Sequence, residues 1–174
     1  MSLLLRTDGV IAIAAFQKRC GRPMLAAPIF PREDDMANDV SPVSTTRMKA
    51  VHSSAKAPVM TKGRRDFFTY RDLGVKEGSA DKMRAQITTA ITGMTQPTGW
   101  HYHTCESQFV YCLKGWVELE FENHPTVRVE AGDSIFIPGG CIHNELRASD
   151  DMQILEVSTP GELGTVPVDA PAGH

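Results

Sequence analysis

The sequence predicts an all-β fold class, an antiparallel jelly-roll β-barrel with a flexible N-terminal arm. Between residues 67 and 158, short segments of alternating apolar and polar residues follow one another along the chain, and such alternation is typical of half-buried strands. Turn signals rich in Gly, Pro, Asn and Asp separate these segments. No segment has the periodicity of a convincing amphipathic helix. Together, these observations favour closed antiparallel sheets.

Composition divides the chain into three regions. We predict an arm over residues 1–62, disordered or exchanged with a partner, because residues 31–66 contain no aromatic side chain and offer little apolar surface to offset the entropy of ordering. The barrel domain is predicted at 63–160, followed by a loose C-terminal tail at 161–174. Two alternatives remain for the arm: it adds a strand to a neighbouring subunit, or translation starts at Met36 or Met48 instead of Met1.

The overall composition narrows the class of partner. A chain of 174 residues that is 41% hydrophobic and 22% charged suits one ordinary domain with some unstructured chain. A net charge of -3 gives no electrostatic footprint for nucleic acid or an anionic membrane. The apolar residues near the N-terminus are interrupted by Arg6 and Asp8 and are too few to cross a bilayer. We therefore expect a cytoplasmic protein whose ligand or substrate is a small molecule.

The strands of the barrel can be placed in order from alternation and turn signals. An aromatic segment, 67–70, ends at the turn signal of residues 72–74, and segment 83–92 alternates before a Gly- and Pro-containing loop at 93–99. The predicted strands are residues 67–70, 83–92, 100–104, 108–114, 116–121, 127–130, 134–137, 142–147 and 152–158.

Alternation also assigns faces to these strands. In segment 116–121 we expect Val117, Leu119 and Phe121 to line the interior. Segment 108–114 alternates in the same way: its inward set is Gln108, Val110 and Cys112, and its outward set is Phe109, Tyr111 and Leu113. An outward row of large apolar side chains has to be covered, so we predict a homodimer, with packing of one sheet on another as the alternative.

Two histidines one residue apart, His101 and His103, share a face in an extended chain. A third histidine, His143, follows a second run of turn signals downstream. Neutral imidazoles suit zinc, copper, iron and nickel, and three protein ligands leave room for water or substrate. The trio therefore predicts a site for a divalent transition metal, namely iron, manganese, nickel, copper or zinc.

These two segments resemble the two motifs of the cupin superfamily. The first motif, G(X)5HXH(X)3-4E(X)6G, is matched by His101, His103 and Gly115, but Gln108 stands where the family usually has Glu. The second, G(X)5PXG(X)2H(X)3N, is matched by residues 132, 138, 140 and 143, but Arg147 stands where Asn is usual. Residues 116–131 separate the motifs, as in compact single-domain cupins of type 2. The resemblance implies a fold more than a reaction, since cupins include oxygenases, isomerases, epimerases, decarboxylases and non-catalytic binders.

The resemblance implies Gln108 as a fourth metal ligand. An amide leaves the charge of a divalent ion unreduced, whereas a carboxylate lowers it by one unit. We therefore expect a stronger Lewis acid that is held less tightly, with the less oxidised state relatively favoured. In the alternative interpretation, Gln108 only donates hydrogen bonds and the metal has three histidine ligands.

Two carboxylates are the candidate catalytic residues. Glu106 is interpreted as a displaced ligand, as a general base or, alternatively, as a solvent-exposed hairpin residue. Glu156 lies in an apolar strand and needs a partner if it points inward; a metal-bound histidine or Arg147 could supply one. Cys105 and Cys141 each lie two residues from a predicted ligand, which leaves open a thiol ligand or a redox pair, although small buried thiols are the simpler interpretation.

The first functional hypothesis is a metal-dependent enzyme, an oxygenase or an isomerase or lyase, acting on a small organic molecule. Its dry wall is predicted to come from Val110, Val117, Leu119 and Phe121. The second hypothesis is a non-enzymatic barrel that binds a small molecule or a metal, such as a sensor. A structural module without metal would leave three motif histidines unexplained.

Overall fold

The computed structural model describes residues 47–63 and 65–174. The predictions for Met36 and for the rest of the chain before residue 47 lie outside the described residues. The described strands are β1 (Val59–Thr61), β2 (Phe68–Asp72), β3 (Arg84–Ala90), β4 (His101–His103), β5 (Ser107–Lys114), β6 (Trp116–Phe121), β7 (His124–Glu130), β8 (Ser134–Pro138), β9 (His143–Ala148), β10 (Gln153–Thr159) and β11 (Thr165–Pro167), and a short helix, α1 (Val75–Gly78), lies between β2 and β3.

The strands form two antiparallel sheets, which confirms the predicted all-β fold class. A six-stranded sheet has the order β1-β2-β3-β10-β5-β8, and a five-stranded sheet has the order β11-β4-β9-β6-β7. Strand β10 therefore lies between β3 and β5, and β9 lies between β4 and β6. This arrangement places β4, which carries His101 and His103, beside β9, which carries His143, although the two strands are distant in sequence.

The inward faces predicted from alternation are buried. Val117, Leu119 and Phe121 of β6 belong to the core, as do Val110 and Cys112 of β5. Burial of these apolar groups removes them from water at about 25 cal/mol per Å² of apolar surface, which holds the two sheets together. The outward row of β5 is exposed, as alternation requires: Phe109 is 40% accessible, Tyr111 38% and Leu113 42%.

The register of β9 contains one irregularity that reverses a side-chain direction. Glu145 pairs with Leu119, but Arg147 pairs with Glu118, the adjacent residue of β6, so one residue of β9 is left over between them. A bulge of this kind breaks the period of two. Arg147 therefore faces outward and donates to the Glu118 carboxylate, although its spacing from His143 alone would place it inside.

Three described elements differ from the sequence prediction. Strand β1 lies within the segment predicted as arm, and its three residues are all exposed, so it shows no alternation from which it could be recognised. Strand β11 lies within the segment predicted as a loose tail and pairs with β4. Helix α1 has only four residues, too few for a helical period to appear. Within residues 47–63 and 65–174, no helix could span a membrane.

Two glycines of the turns allow the barrel to close. Gly115 joins β5 to β6 with a φ of +65°, which L side chains rarely adopt, and an added Cβ would overlap the Ser149 hydroxyl. At Gly139 an added Cβ would overlap the Cys105 carbonyl oxygen. This close approach packs the turn before β9 against the turn that follows β4, so both histidine segments are fixed from the same end.

Candidate metal centre

The three histidines converge within the barrel. His101 and His143 are directly opposite each other across the β4–β9 pair, and His103 points the same way as His101 because β4 alternates. Their relative exposures are 4%, 6% and 0% for His101, His103 and His143. The ring centroids lie 4.4 to 5.1 Å apart.

One ring nitrogen of each histidine is held by a hydrogen-bond acceptor. The Nδ1 atom of His101 lies 2.7 Å from the carbonyl oxygen of Gly99, and that of His143 lies 2.9 Å from the Cys141 carbonyl oxygen. His103 Nδ1 lies 3.1 Å from the carbonyl oxygen of Gly164. Because a carbonyl only accepts, each Nδ1 carries the proton and each Nε2 keeps its lone pair. Hydrogen bonds of this type orient histidine ligands in metal sites.

The remaining ring nitrogens suit a metal ion. One ligand atom from each histidine lies within 4.8 Å of the other two. His143 Nε2 is completely buried and has no hydrogen-bond partner within the structure, which is costly for a polar atom unless a ligand satisfies it. Three neutral imidazole nitrogens are a donor set suited to zinc, copper, iron or nickel. The residues therefore fit the divalent transition metal that the sequence predicted.

Protons compete weakly for this site. Burial, together with the nearby imidazoles of His143 and His101, lowers the pKa of His103 to about 4. The imidazole therefore stays neutral at physiological pH, which is the form that binds a metal.

The tail contributes to the site through β11. Thr165 pairs with His103 across the two strands, and its hydroxyl lies 3.0 Å from His103 Nδ1, beside the Gly164 carbonyl oxygen. Segment 161–174 was predicted to be loose because of its prolines and its position near the end of the chain. Its residues instead complete the polar surroundings of a candidate ligand.

Glu145 is a site residue that the sequence analysis did not identify. Its carboxylate oxygens lie 4.0 Å from His101 Nε2 and 3.9 Å from His143 Nε2. Burial raises the pKa of this carboxyl, but the neighbouring His143 and His101 and a hydrogen bond from Thr98 together leave the pKa below its usual value. The signal was available in the sequence, because Glu145 lies two residues after His143 in a strand and therefore shares its face.

Gln108 and Glu156 belong to a hydrogen-bonded network on the opposite sheet. Gln108 Nε2 donates to Glu156 at 3.2 Å, and Gln86 Nε2 donates to the same carboxylate at 2.6 Å. The Thr88 hydroxyl donates to it as well. Arg147, one of the expected partners of Glu156, does not pair with it, because the bulge in β9 turns Arg147 outward. Gln108 Oε1 is buried and has no hydrogen-bond partner among the described residues.

The side chains of the other candidate residues do not join the cluster of three histidines. Glu106 is exposed in the turn after β4 and does not line the cavity beside the histidines, so the geometry gives no support to a catalytic role. Cys105 and Cys141 are both buried, and burial raises the pKa of the Cys105 thiol. A thiol with a raised pKa is a poor metal ligand at neutral pH.

A cavity of about 440 Å³ lies beside the site. His101, His103 and Glu145 open onto it, together with Glu156. Its apolar walls come from Phe68, Tyr70, Val117, Met152, Ile154 and Leu163, and its basic side chains are Lys62, Arg65, Lys76 and Arg84. Of the four residues predicted as a dry wall, Val117 lines the cavity, whereas Val110, Leu119 and Phe121 are buried in the core.

Comparison with protein families finds one domain. The model of the family described as "Cupin domain" matches residues 92–158. That segment includes all three histidines, Glu145 and Gln108. No curated protein matches the sequence of this chain.

Several solved structures are similar to this one. KdgF from Halomonas sp. is 15% identical, with a TM-score of 0.54 over 64% of this chain and 94% of that chain. The polyketide cyclase RemF from Streptomyces resistomycificus is 23% identical, with a TM-score of 0.55 over 70% and 86%. Hydroxypropylphosphonic acid epoxidase from S. wedmorenis is 16% identical, with a TM-score of 0.52 over 63% and 59%. Identities this low establish a shared fold and no shared reaction.

Proposed function

Since the chain contains a cupin domain over residues 92–158, we propose that the protein is a metal-dependent enzyme, an oxygenase or an isomerase or lyase, acting on a small organic molecule. One observation carries the proposal. Among the described residues, His143 Nε2 is buried without a hydrogen-bond partner beside two other histidines, and the cluster borders a cavity of about 440 Å³. Pockets for small ligands have volumes of this order, with mostly apolar walls and a few convergent polar groups.

Different residues around the cavity are assigned different roles. His101, His103 and His143 would hold the metal, which supplies Lewis acidity or, if it is redox-active, electrons for chemistry with dioxygen. Apolar side chains such as Val117, Met152 and Ile154 line part of the wall, where fewer water molecules compete with the electrostatic interactions of the site. Glu156 lines the same cavity and is the carboxylate that we assign to proton transfer with the substrate.

The similar structures are consistent with this range of chemistry. Their names include a polyketide cyclase, an epoxidase studied with Fe(II) and a nucleoside dehydratase. One fold therefore carries several reactions, and the reaction of this chain depends on its own cavity residues.

The test is elemental analysis by plasma mass spectrometry of untagged protein purified without chelator. We expect near-stoichiometric iron, manganese, nickel, copper or zinc in the natural protein and its loss in His101→Ala. His124→Ala is the matched control, because His124 lies in β7 outside the cluster of three histidines and its Nδ1 bonds the neighbouring Pro125 carbonyl oxygen. Protein that neither contains nor takes up any of these ions would contradict the proposal.

A second measurement distinguishes an enzyme from a binder. An enzyme should turn over a small organic substrate in a metal-dependent way, and His101→Ala should abolish turnover. Ligand-induced thermal stabilisation without turnover would instead identify a non-enzymatic binding barrel.

A further inference from the structure

A carboxylate, Glu145, lies close to the candidate metal site at a position that neither cupin motif specifies. The first motif usually has a Glu where this chain has Gln108. Three neutral imidazoles and an amide carry no charge, so these four side chains supply no negative charge to a metal. The inference below rests on the proposed metal site and concerns the origin of the missing negative charge.

Glu145 is positioned by the strand that carries His143. It lies two residues further along β9 and pairs with the inward-facing Leu119, before the bulge that reverses the direction of later side chains. Its two carboxylate oxygens lie 3.9 Å from His143 Nε2 and 4.0 Å from His101 Nε2. The carboxylate thus contacts the same nitrogens that face the candidate metal position.

Thr98 fixes the carboxylate in this orientation. The Thr98 hydroxyl donates to Glu145 Oε2 and accepts from the Glu145 backbone N–H at 3.1 Å. In addition, the Thr98 backbone N–H donates to the Glu145 carbonyl oxygen at 3.0 Å. The loop before β4 therefore holds the Glu145 side chain ready, as hydrogen-bonded carboxylates are held in metal sites.

The Gln108 amide nitrogen points to Glu156 and not to the three histidines. The donor end of Gln108 faces Glu156 at 3.2 Å, and Glu156 accepts two further hydrogen bonds, from Gln86 and from Thr88. The Gln108 amide nitrogen is thereby tied to the network of the six-stranded sheet, while Gln108 Oε1 makes no hydrogen bond among the described residues. The negative charge nearest to the three histidines comes from the five-stranded sheet.

We propose that Glu145 completes the three-histidine site as a carboxylate ligand of the bound metal, in place of the carboxylate that position 108 lacks. A metal with ligand distances of about 2.0–2.2 Å holds neighbouring ligand atoms roughly 3 to 3.5 Å apart. The Glu145 oxygens lie 3.9 and 4.0 Å from two of the three histidine nitrogens, so a small inward movement of the carboxylate would bring them into this range.

This ligand changes the expected chemistry of the metal. Three imidazoles and one carboxylate reduce the charge of a divalent ion by one unit. The ion is therefore held more tightly and is a weaker Lewis acid than the amide at position 108 would predict. The more oxidised state of iron or copper is also less disfavoured.

Cobalt(II) titration of the metal-free protein tests the assignment, because the visible d–d absorption reports the ligands directly and requires no turnover. We expect Glu145→Gln to shift this spectrum and to lower Co²⁺ affinity by about 100-fold or more, since loss of an outer partner of a ligand already costs about 10–100-fold. Glu162→Gln is the matched control, because Glu162 lines the same cavity but pairs with Lys76 at 2.7 Å. Its spectrum and affinity should equal those of the natural protein.

Each outcome distinguishes this inference from the proposed function. Natural protein that binds Co²⁺, with a Glu145→Gln variant of unchanged spectrum and affinity, would overturn the ligand assignment and leave the metal site intact. If Gln108→Ala rather than Glu145→Gln changes the spectrum, then Gln108 is the ligand and the inference fails. Natural protein that binds no Co²⁺ or other transition metal would overturn both.

A crystal structure of the Co²⁺-loaded natural protein gives the answer without any variant. We expect a Glu145 oxygen at about 2.0–2.2 Å from the metal. A carboxylate that stays beyond about 3 Å while three histidines bind the ion would overturn the inference even if Glu145→Gln failed to fold.

Discussion

The five-stranded sheet has the candidate ligands on its inner face and ion pairs on its outer face. The six-stranded sheet has polar groups on its inner face and large apolar groups on its outer face. Inside, the first sheet presents the three histidines and Glu145, and the second presents an amide and hydroxyl network around Glu156. Outside, the first sheet carries Glu118 with Arg128 and Arg147, and the second carries Phe109, Tyr111, Leu113 and Phe136.

The two sheets therefore differ in role: one carries the candidate ligands, and the other forms the facing cavity wall and an apolar outer surface. The five-stranded sheet supplies all three candidate histidine ligands and meets solvent through paired charges, which water and salt screen well. The six-stranded sheet supplies the second wall of the cavity, and its outer face has neighbouring aromatic rings at Phe109 and Phe136, which pair across β5 and β8. An exposed apolar face of this kind is typical of an interface.

The largest effect on metal binding should come from removing a candidate histidine ligand of the five-stranded sheet. We predict that His143→Ala abolishes stoichiometric zinc binding in equilibrium dialysis, because His143 is completely buried and its Nε2 has no other use. Thr88→Val alters the inner face of the opposite sheet and should keep one bound ion. If both variants lose the ion, the ligands do not come from one sheet alone.

The next effect concerns the outer face of the six-stranded sheet. We propose that this face forms a homodimer interface, since a twofold axis sets an apolar patch against its own copy. Phe136, 62% accessible, should be central to it, so Phe136→Asp is expected to weaken the dimer by roughly 30-fold or more, the scale of an interface hot spot. Size-exclusion chromatography with light scattering measures the change.

The control for this prediction is Thr126→Asp, which introduces the same charge at an exposed position of β7 in the other sheet. It should leave the dimer unchanged. A natural protein that is monomeric at all accessible concentrations would contradict the homodimer.

A smaller effect should follow from opening the network around Glu156. Thr88→Val removes a hydroxyl that donates to the Glu156 carboxylate, and a buried acceptor that loses a donor costs about 1–3 kcal/mol of unfolding free energy. Urea denaturation measures this cost. Thr89→Val is the control, because Thr89 lies on the same strand but faces outward, where its hydroxyl accepts from Gln153 Nε2. Equal costs for the two variants would argue against a special role for the network.

The smallest effect should be at the outer charges of the five-stranded sheet. Arg147→Met breaks the pair with Glu118, but the Arg147 side chain is 69% accessible, and the buried Glu118 keeps Arg128 as a partner at 3.5 Å. We therefore expect a cost of about 0–1 kcal/mol, as for exposed ion pairs. The free energy of unfolding should fall by no more than this, and by less at high salt. A loss of several kcal/mol would show that the pair supports the bulge in β9.

Much of the fold could be predicted from local pattern. The strands that alternate clearly, such as β5 and β6, were placed within a residue or two, because one face packs on the core and the other meets solvent. The inward positions of Val117, Leu119 and Phe121 followed from the same rule and are confirmed by their burial. Strands β1 and β11 were missed because each has only three residues and neither shows a buried face.

The site shows the same division between local and long-range information. By itself, the sequence determined that three histidines share one barrel, because two lie one residue apart in a strand and the third follows a matching turn. Only the tertiary structure decided the rest: the β4–β9 pairing that sets His101 opposite His143, the β11 segment behind His103, and the bulge that keeps Glu145 inside while it turns Arg147 out. The physical reason is that side-chain period is a property of a single strand, whereas register, bulges and pairing partners depend on contacts between segments that lie far apart in the chain.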